Sequence, residues 1–263
     1  IEPFLKSAKI PKFIFFSVLD WKNNKGSIIS EIKQKFINCK LAIRSSSNME
    51  DGAVSSMAGY FDSLLDIDSN NLQIIFTSIE NVISSMKYSL TDQVIVQEMA
   101  SKLSLSGVIM SFDVTKKAPY YCIEYDDESG KSDSVTSGKG KFKSVSIFRL
   151  GNINLIKSKR ILAILKLAKE IEEIVNYPAI DIEFGLDQKN KPILFQVRRI
   201  VGFQDNDLKM QSKVSTHLDE IENSIKKNFE DYRDLLGDRS IFAVMPDWNP
   251  AEIIGYNPKT LST

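Results

Sequence analysis

Three observations predict an α+β fold. Ile180 to Leu186 and Ile193 to Arg198 both alternate apolar and polar residues about the turn-rich stretch Asp187 to Pro192, the pattern of an antiparallel hairpin. Lys157 to about Asn176 instead carries Ile161, Ile164, Leu165, Ala168, Ile171 and Ile174 at helical spacing, and Pro178 ends it. The remaining strands and helices mix without the strand–helix–strand regularity of a parallel sheet, and no internal repeat is visible.

Taken in order, Gly26-Ser27 opens an amphipathic stretch to about Asn38, and Lys40 to Arg44 reads as a short strand. A loop rich in Ser and Gly follows, from Ser45 to Gly59, with no core-forming period. Tyr60 to Ile67 reads as a strand, and Ser69-Asn70-Asn71 supplies an N-cap for a helix reaching about Met86. Val94 to Met99, Gly107 to Phe112 and Tyr120 to Tyr125 read as strands. A polar loop from Asp126 to Lys143 holds Gly130, Gly138 and Gly140, and a strand near Val145 to Leu150 precedes the helix that Pro178 ends. Past Gln204 a charged, helical segment runs from Leu208 to Leu236. A tail with two Pro and a Trp, Phe242 to Pro250, reads as an ordered loop for which the residues suggest no role.

Composition bounds the chemistry. The chain has 263 residues, of which 43% are hydrophobic and 26% charged, so it can bury a sizeable core and is not of the disordered class. Basic and acidic residues balance at 34 each, which argues against nucleic acid held by a broad basic surface. The apolar run Phe13 to Leu19 is far too short for a membrane span. Cys39 and Cys122 make neither a disulfide framework nor a zinc site, so a reducing cytoplasm is expected. With one histidine in the chain, His-rich metal sites and most His-based catalysis are improbable. Carboxylates, amides and cations must carry any reaction. The chain opens at Ile1 rather than Met and stops at Thr263, and a piece of a longer protein is expected.

The hairpin sorts its own faces. A tight turn about Lys189-Asn190 opposes Glu183 to Gln196 and Asp181 to Arg198, gathering four polar groups on one face. The other face then holds Ile182, Phe184, Leu186, Ile193, Phe195 and Val197. A slip of one residue would scramble both faces, so the register is well specified. Such a polar face can simply be solvated. Its residue types also suit a ligand: Glu and Gln oxygens match a hard cation such as Mg2+, and the neighbouring Arg can grip a phosphate bidentately.

Here the sequence resembles a family. Asp181-Ile-Glu183 with Leu194-Phe-Gln196-Val-Arg198-Arg-Ile200 is similar to the closing Asp-x-Glu … Leu-Gln-x-Arg-Pro-Ile motif of the ATP-grasp nucleotide-binding domain. The version it resembles is that of pyruvate phosphate dikinase, phosphoenolpyruvate synthase and rifampin phosphotransferase. Leu41-Ala-Ile-Arg44-Ser-Ser-Ser-Asn-Met-Glu50-Asp51 resembles Val-Arg-Ser-Ser-Ala-Thr-x-Glu-Asp, and Ser56-Met-Ala-Gly59-Tyr-Phe-Asp-Ser63 resembles Ser-Phe-Ala-Gly-x-x-x-Thr. Val94-Ile-Val-Gln97-Glu-Met99 and Ser106-Gly-Val-Ile-Met110 complete an ordered set covering about residues 5 to 203.

The resemblance implies an ATP-grasp fold whose two subdomains clamp the nucleotide. They would be an N-terminal one over residues 1–90, a second over 91–203 bearing the hairpin, and an extension over 204–263 toward a further domain. It implies ATP and Mg2+ as cofactors. Arg44 and Arg198 would hold phosphates and be the catalytic pair, and Glu183 and Gln196 would hold the metal. Asp181 would assist the metal or orient Arg198. Gly59 would let the backbone approach closely, Ser63 would be a further nucleotide-binding residue, and Gln97 to Met99 would present backbone groups to adenine. In this chemistry transfer rests on positioning and charge neutralisation, without a histidine base in this domain. The expected partners are a swivelling phosphohistidine domain and a pyruvate- or phosphoenolpyruvate-type domain, beyond Thr263 or on another chain. Neither nucleic acid nor membrane is among them.

The sequence also departs from the family. No lysine matches its opening Gly-Gly-Lys element, since Lys6 and Lys9 sit too late in the pattern. Its Gly-Leu-Gly-Glu loop appears as Gly130-Lys-Ser132-Asp133, and Arg199 replaces the Pro of the last motif. His217 lacks the carrier histidine's Gly-Gly context and reads as a surface residue. Two alternatives stay open: a degenerate, non-catalytic nucleotide-binding or regulatory domain, and a dikinase for another acceptor such as an antibiotic or a glucan.

Overall fold

A computed structural model describes residues 1–46, 63–86, 89–113, 115–130, 142–200 and 202–228. The chain divides into one compact unit over Ile1–Ser212 and a second over Lys213–Thr263. The first unit is α+β, with two antiparallel sheets, each backed by helix.

The first sheet has the order β1 (Phe13–Ser17), β4 (Gln93–Glu98), β2 (Lys40–Ser46), β3 (Leu64–Asp68). Alternation sends Ile14 and Phe16 of β1 into the core while Phe15 stays exposed on the opposite face. The core forms between this sheet and two helices, α1 (Val18–Lys35) and α2 (Leu72–Ser85). Trp21, Ile32, Ile75, Ile79 and Val82 close over Leu41, Ile43, Val94 and Val96. Each such aliphatic side chain, fully buried, contributes about 1.5–3 kcal/mol. Asn71 caps α2 as expected, its side-chain oxygen accepting from the Ile74 N–H at 3.1 Å.

The first helix departs from expectation. It begins at Val18 rather than at Gly26, because Ser17 and Asp20 form a reciprocal capping box. The Ser17 hydroxyl accepts from the Asp20 N–H, and the Asp20 carboxylate accepts from the Ser17 N–H. Non-helical backbone at Asn24 kinks the helix, so the stretch read from Gly26 is its second half. β4 is hydrogen-bonded between β1 and β2, and the chain leaves the first sheet only after Glu98.

The second sheet has the order β7 (Lys143–Phe148), β6 (Tyr120–Asp126), β5 (Leu105–Met110), β8 (Ile180–Leu186), β9 (Pro192–Arg199). The helix α3 (Lys159–Val175) covers it, burying Ile161, Ile164, Leu165, Ala168 and Ile171 as its spacing predicts. Asn176 then turns left-handed at φ 49° and ψ 46° to end the helix. The buried end of α3 is tied to the sheet by Glu172, which accepts from Arg149 on one oxygen and from the Tyr121 hydroxyl on the other. In the centre of the sheet a Cβ on Gly107 would lie 2.2 Å from the Glu124 carbonyl oxygen. Only glycine lets β5 sit this close to β6.

The β8–β9 hairpin keeps the expected register at its polar end, pairing Asp181 with Arg198 and Glu183 with Gln196. Between Glu183 and Phe184 the register shifts by one, so Phe184 opposes Leu194 and Leu186 opposes Pro192. Leu194 therefore takes the core position, and the expected apolar face is corrected: Ile193 and Phe195 leave it. A Cβ on Gly185 would lie 2.9 Å from the Phe195 ring, which places that ring on the side of the sheet shared by Asp181 and Glu183.

The segment before β1 is a strap the sequence did not suggest. Leu5, Ala8 and Ile10 pack on the second core, and Lys9 makes a parallel bridge to Ile193. The Glu170 carboxylate of α3 accepts from the backbone N–H groups of Lys6 and Ser7 at 2.7 and 2.8 Å.

The helix α4 (Asp205–Asn228) runs into the second unit. Its charged side chains pair within the helix, Lys226 with Glu222, and His217 with Glu220, and His217 is exposed.

Gly107→Ala is expected to destabilise the first unit by about 3 kcal/mol, since backbone rather than a flexible side chain must yield. Urea denaturation checks it. Glu170→Ala should speed hydrogen exchange at the Lys6 and Ser7 amides while β5 and β8 amides stay protected; mass spectrometry of peptic fragments reads both.

Candidate functional site

In β2 the core takes Leu41 and Ile43, so Arg44 points from the other face of the first sheet, opposite Ile95 of β4, which in turn opposes Phe15 of β1. In the second sheet the core takes Ile182 and Phe184, leaving Asp181 and Glu183 on the opposite face beside Gln196 and Arg198. These two faces meet at Arg44. Arg44 Nη1 donates to Glu183 Oε2 at 2.7 Å and to Gln196 Oε1 at 3.0 Å. Arg198 Nη2 donates to the other oxygen of Glu183 at 3.0 Å and lies 3.3 Å from Asp181 Oδ2.

Glu183 is thus a buried carboxylate held between two guanidinium groups, with 9% of its surface exposed. Taking such ions out of water costs several kcal/mol each, and removing one partner of a buried pair typically costs about 3–5 kcal/mol. Two atoms of this cluster stay unsatisfied: Arg44 Nε and Asp181 Oδ1 are buried without a hydrogen-bond partner. Burial pushes the Asp181 carboxyl above the usual carboxylate range, the positive charge of Arg198 opposes this, and the Glu183 charge adds to it.

The cluster opens onto a cavity of about 570 Å3, a volume within the usual range for small-molecule sites. Phe13, Ile95 and Phe195 give it an apolar wall, and Gln97, Gln196 and Arg198 a polar one. Glu183 Oε2 and Gln196 Oε1 converge on a single cationic nitrogen. That is the donor set a Mg2+ ion takes from protein when phosphate and water oxygens fill its other positions. The residues present therefore fit the metal. Among the described residues no cluster of three or more His, Cys, Asp or Glu side chains offers a rival metal site. Cys39 and Cys122 are both free, and no described helix is long and apolar enough to cross a membrane.

The expected site residues divide into those brought together and those that are not. Arg44, Asp181, Glu183, Gln196 and Arg198 form one cluster, and Gln97 lines the adjoining cavity. The Met99 N–H donates to the Lys40 carbonyl and the Glu98 N–H to the Lys12 carbonyl. Ser63 is exposed just before β3, with no described contact to the cluster. Gly59 lies outside the described residues, as do Ser132, Asp133 and the stretch Phe242 to Pro250. Phe13 and Phe195 were missed. The signal for Phe195 lay in Ile193-Leu194-Phe195, three consecutive apolar residues that a strict alternation cannot place.

No family model matches the chain, and no curated protein matches it. Solved structures similar to it include the VanG D-Ala:D-Ser ligase from Enterococcus faecalis. That match is at 14% identity and a TM-score of 0.40, over 74% of this chain and 49% of the ligase. The D-alanine-D-alanine ligase from Coxiella burnetii is similar at 10% identity and a TM-score of 0.44, covering 85% of this chain and 57% of its own. The RimK domain protein ATP-grasp from Sphaerobacter thermophilus DSM 20745 is similar at 13% identity and a TM-score of 0.36, covering 75% and 55%. The chain spans about half the length of these structures. The substrates in their names remain theirs.

Proposed function

We propose that this chain is a Mg-ATP-binding unit of the ATP-grasp type, from an ATP-dependent phosphotransferase resembling the dikinases. The observation that carries the reading is the convergence of Glu183 Oε2 and Gln196 Oε1 between Arg44 and Arg198, beside an aromatic-walled cavity. When bound, Mg2+ would neutralise charge on the phosphate oxygens. Glu183 and Gln196 would hold that ion. Arg198 keeps Glu183 in place through its second oxygen, and Asp181 orients Arg198. Arg44, whose Nε has no partner, offers a donor to a phosphate oxygen. Phe13, Ile95 and Phe195 supply apolar surface for a base, and exclude water from it. The phosphoryl group then passes to a histidine on a swivelling domain, and the final acceptor is chosen there or further on; the ordered family motifs support this step.

Calorimetry on the chain with Mg-ATP should give a dissociation constant of about 1 μM to 1 mM, the range of enzyme substrates. Ligand at roughly 100 times that constant should add about 2.7 kcal/mol of stability. Glu183→Gln combined with Arg198→Gln should weaken binding at least a hundredfold, about 2.7 kcal/mol. Unchanged affinity in the double variant sinks the reading, and a wild-type chain that binds no nucleotide is the degenerate domain instead. Radiolabel passing from ATP to a histidine-bearing carrier domain, in acid-labile form, identifies the dikinase step.

A further inference from the structure

We infer that Arg44 is a built-in surrogate for the metal: its guanidinium occupies the two metal-binding oxygens in the free protein and must leave before a divalent cation can bind there. The inference rests on the Mg-ATP reading but concerns the state before nucleotide arrives. One nitrogen, Arg44 Nη1, takes both oxygens, Glu183 Oε2 at 2.7 Å and Gln196 Oε1 at 3.0 Å. A Mg2+ ion held by the same two oxygens would need the lone pairs that Arg44 Nη1 now engages, which makes the two occupants mutually exclusive. Arg198 does not compete in this way, because it holds Oε1 of Glu183 and approaches Asp181. When Arg44 leaves, Glu183 therefore stays anchored and only the metal-facing oxygens are freed.

The contact is built to be exchanged rather than kept. Arg44 comes from β2 of the first sheet, whereas its acceptors lie on β8 and β9 of the second. It also leaves its own Nε unpartnered, and Asp181 Oδ1 unpartnered in the same cluster. A phosphate oxygen supplies the acceptor that Nε lacks. Metal and phosphate arriving together thus satisfy both ends of the broken pair, while a metal ion alone leaves a buried guanidinium without its carboxylate. The free protein should consequently take divalent cations weakly, and nucleotide should be what admits them.

The test is Mn2+ binding to the nucleotide-free chain, read from the electron paramagnetic resonance signal of free Mn2+. Arg44→Gln should bind Mn2+ at least tenfold more tightly than wild type, and Arg44→Lys, which keeps the charge on a single nitrogen, should fall between the two. Arg198→Gln removes an equal charge from the same carboxylate without freeing Oε2, and should gain less than Arg44→Gln. Adding Glu183→Gln to Arg44→Gln should erase the gain. Wild-type affinity in Arg44→Gln overturns the inference, as does an equal gain in Arg198→Gln, which would mark a simple charge effect. Should Arg44→Gln fail to fold, the Arg44→Lys titration decides, and no gain there is equally fatal. No nucleotide enters these titrations, so their failure is distinct from a failure of wild type to bind Mg-ATP.

Discussion

A carboxylate that must live away from water organises this molecule. Glu183 sits in the face of a central strand, with 9% of its surface exposed, and such an ion persists only with cations at both oxygens. One of them, Arg198, comes from the neighbouring strand of its own hairpin, where register alone delivers it. The other, Arg44, comes from a different sheet. Glu183 thereby constrains where the polar face of the first sheet can lie against that of the second.

Backbone close to the site is arranged for the same end. Gly107 lets β5 run tight against β6, which sets the strand beside β8, and Gly185 leaves room for the Phe195 ring over the cleft face. The bulge between Glu183 and Phe184 does two things at once: it keeps Gln196 opposite Glu183, and it turns the residue before Gln196 out of the core. The strap of residues 5 to 10 then bridges the outer edge of β9 through Lys9 and is held from behind by Glu170. An otherwise open edge is covered beside Ile193 and Leu194, just before Gln196.

Much of this was legible in the sequence, and what was not has a common cause. The strand β8 and the helix α3 were readable because each has one buried face and an unbroken period, so local pattern and tertiary role agree. The Glu183–Gln196 and Asp181–Arg198 pairs followed from that alternation alone. The start of α1 was hidden because the apolar run Phe13 to Leu19 contains both a strand and the first turn of a helix, separated only by the cap at Ser17. The strap was hidden because its order comes from Glu170 and Ile193, more than 160 residues away in the chain. Arg44 could be matched to a family motif, but its bond to Glu183 spans 139 residues and no local pattern carries it.

Charge balance connects the free site with its proposed ligand. Asp181 and Glu183 against Arg44 and Arg198 make a cluster of two acids and two bases, so the free site is close to neutral and carries no standing attraction for either a lone cation or a lone anion. A metal ion alone would strand Arg44; a polyphosphate alone would draw Arg44 away and leave Glu183 with Arg198 as its one cation. A metal–polyphosphate complex repairs both, because Glu183 exchanges a guanidinium for the metal and Arg44 exchanges a carboxylate for phosphate. Every buried charge keeps an opposite partner through the exchange. Selection for the complex over its separate parts then needs no dedicated sensor, because the ion pair between Arg44 and Glu183 already penalises each part on its own.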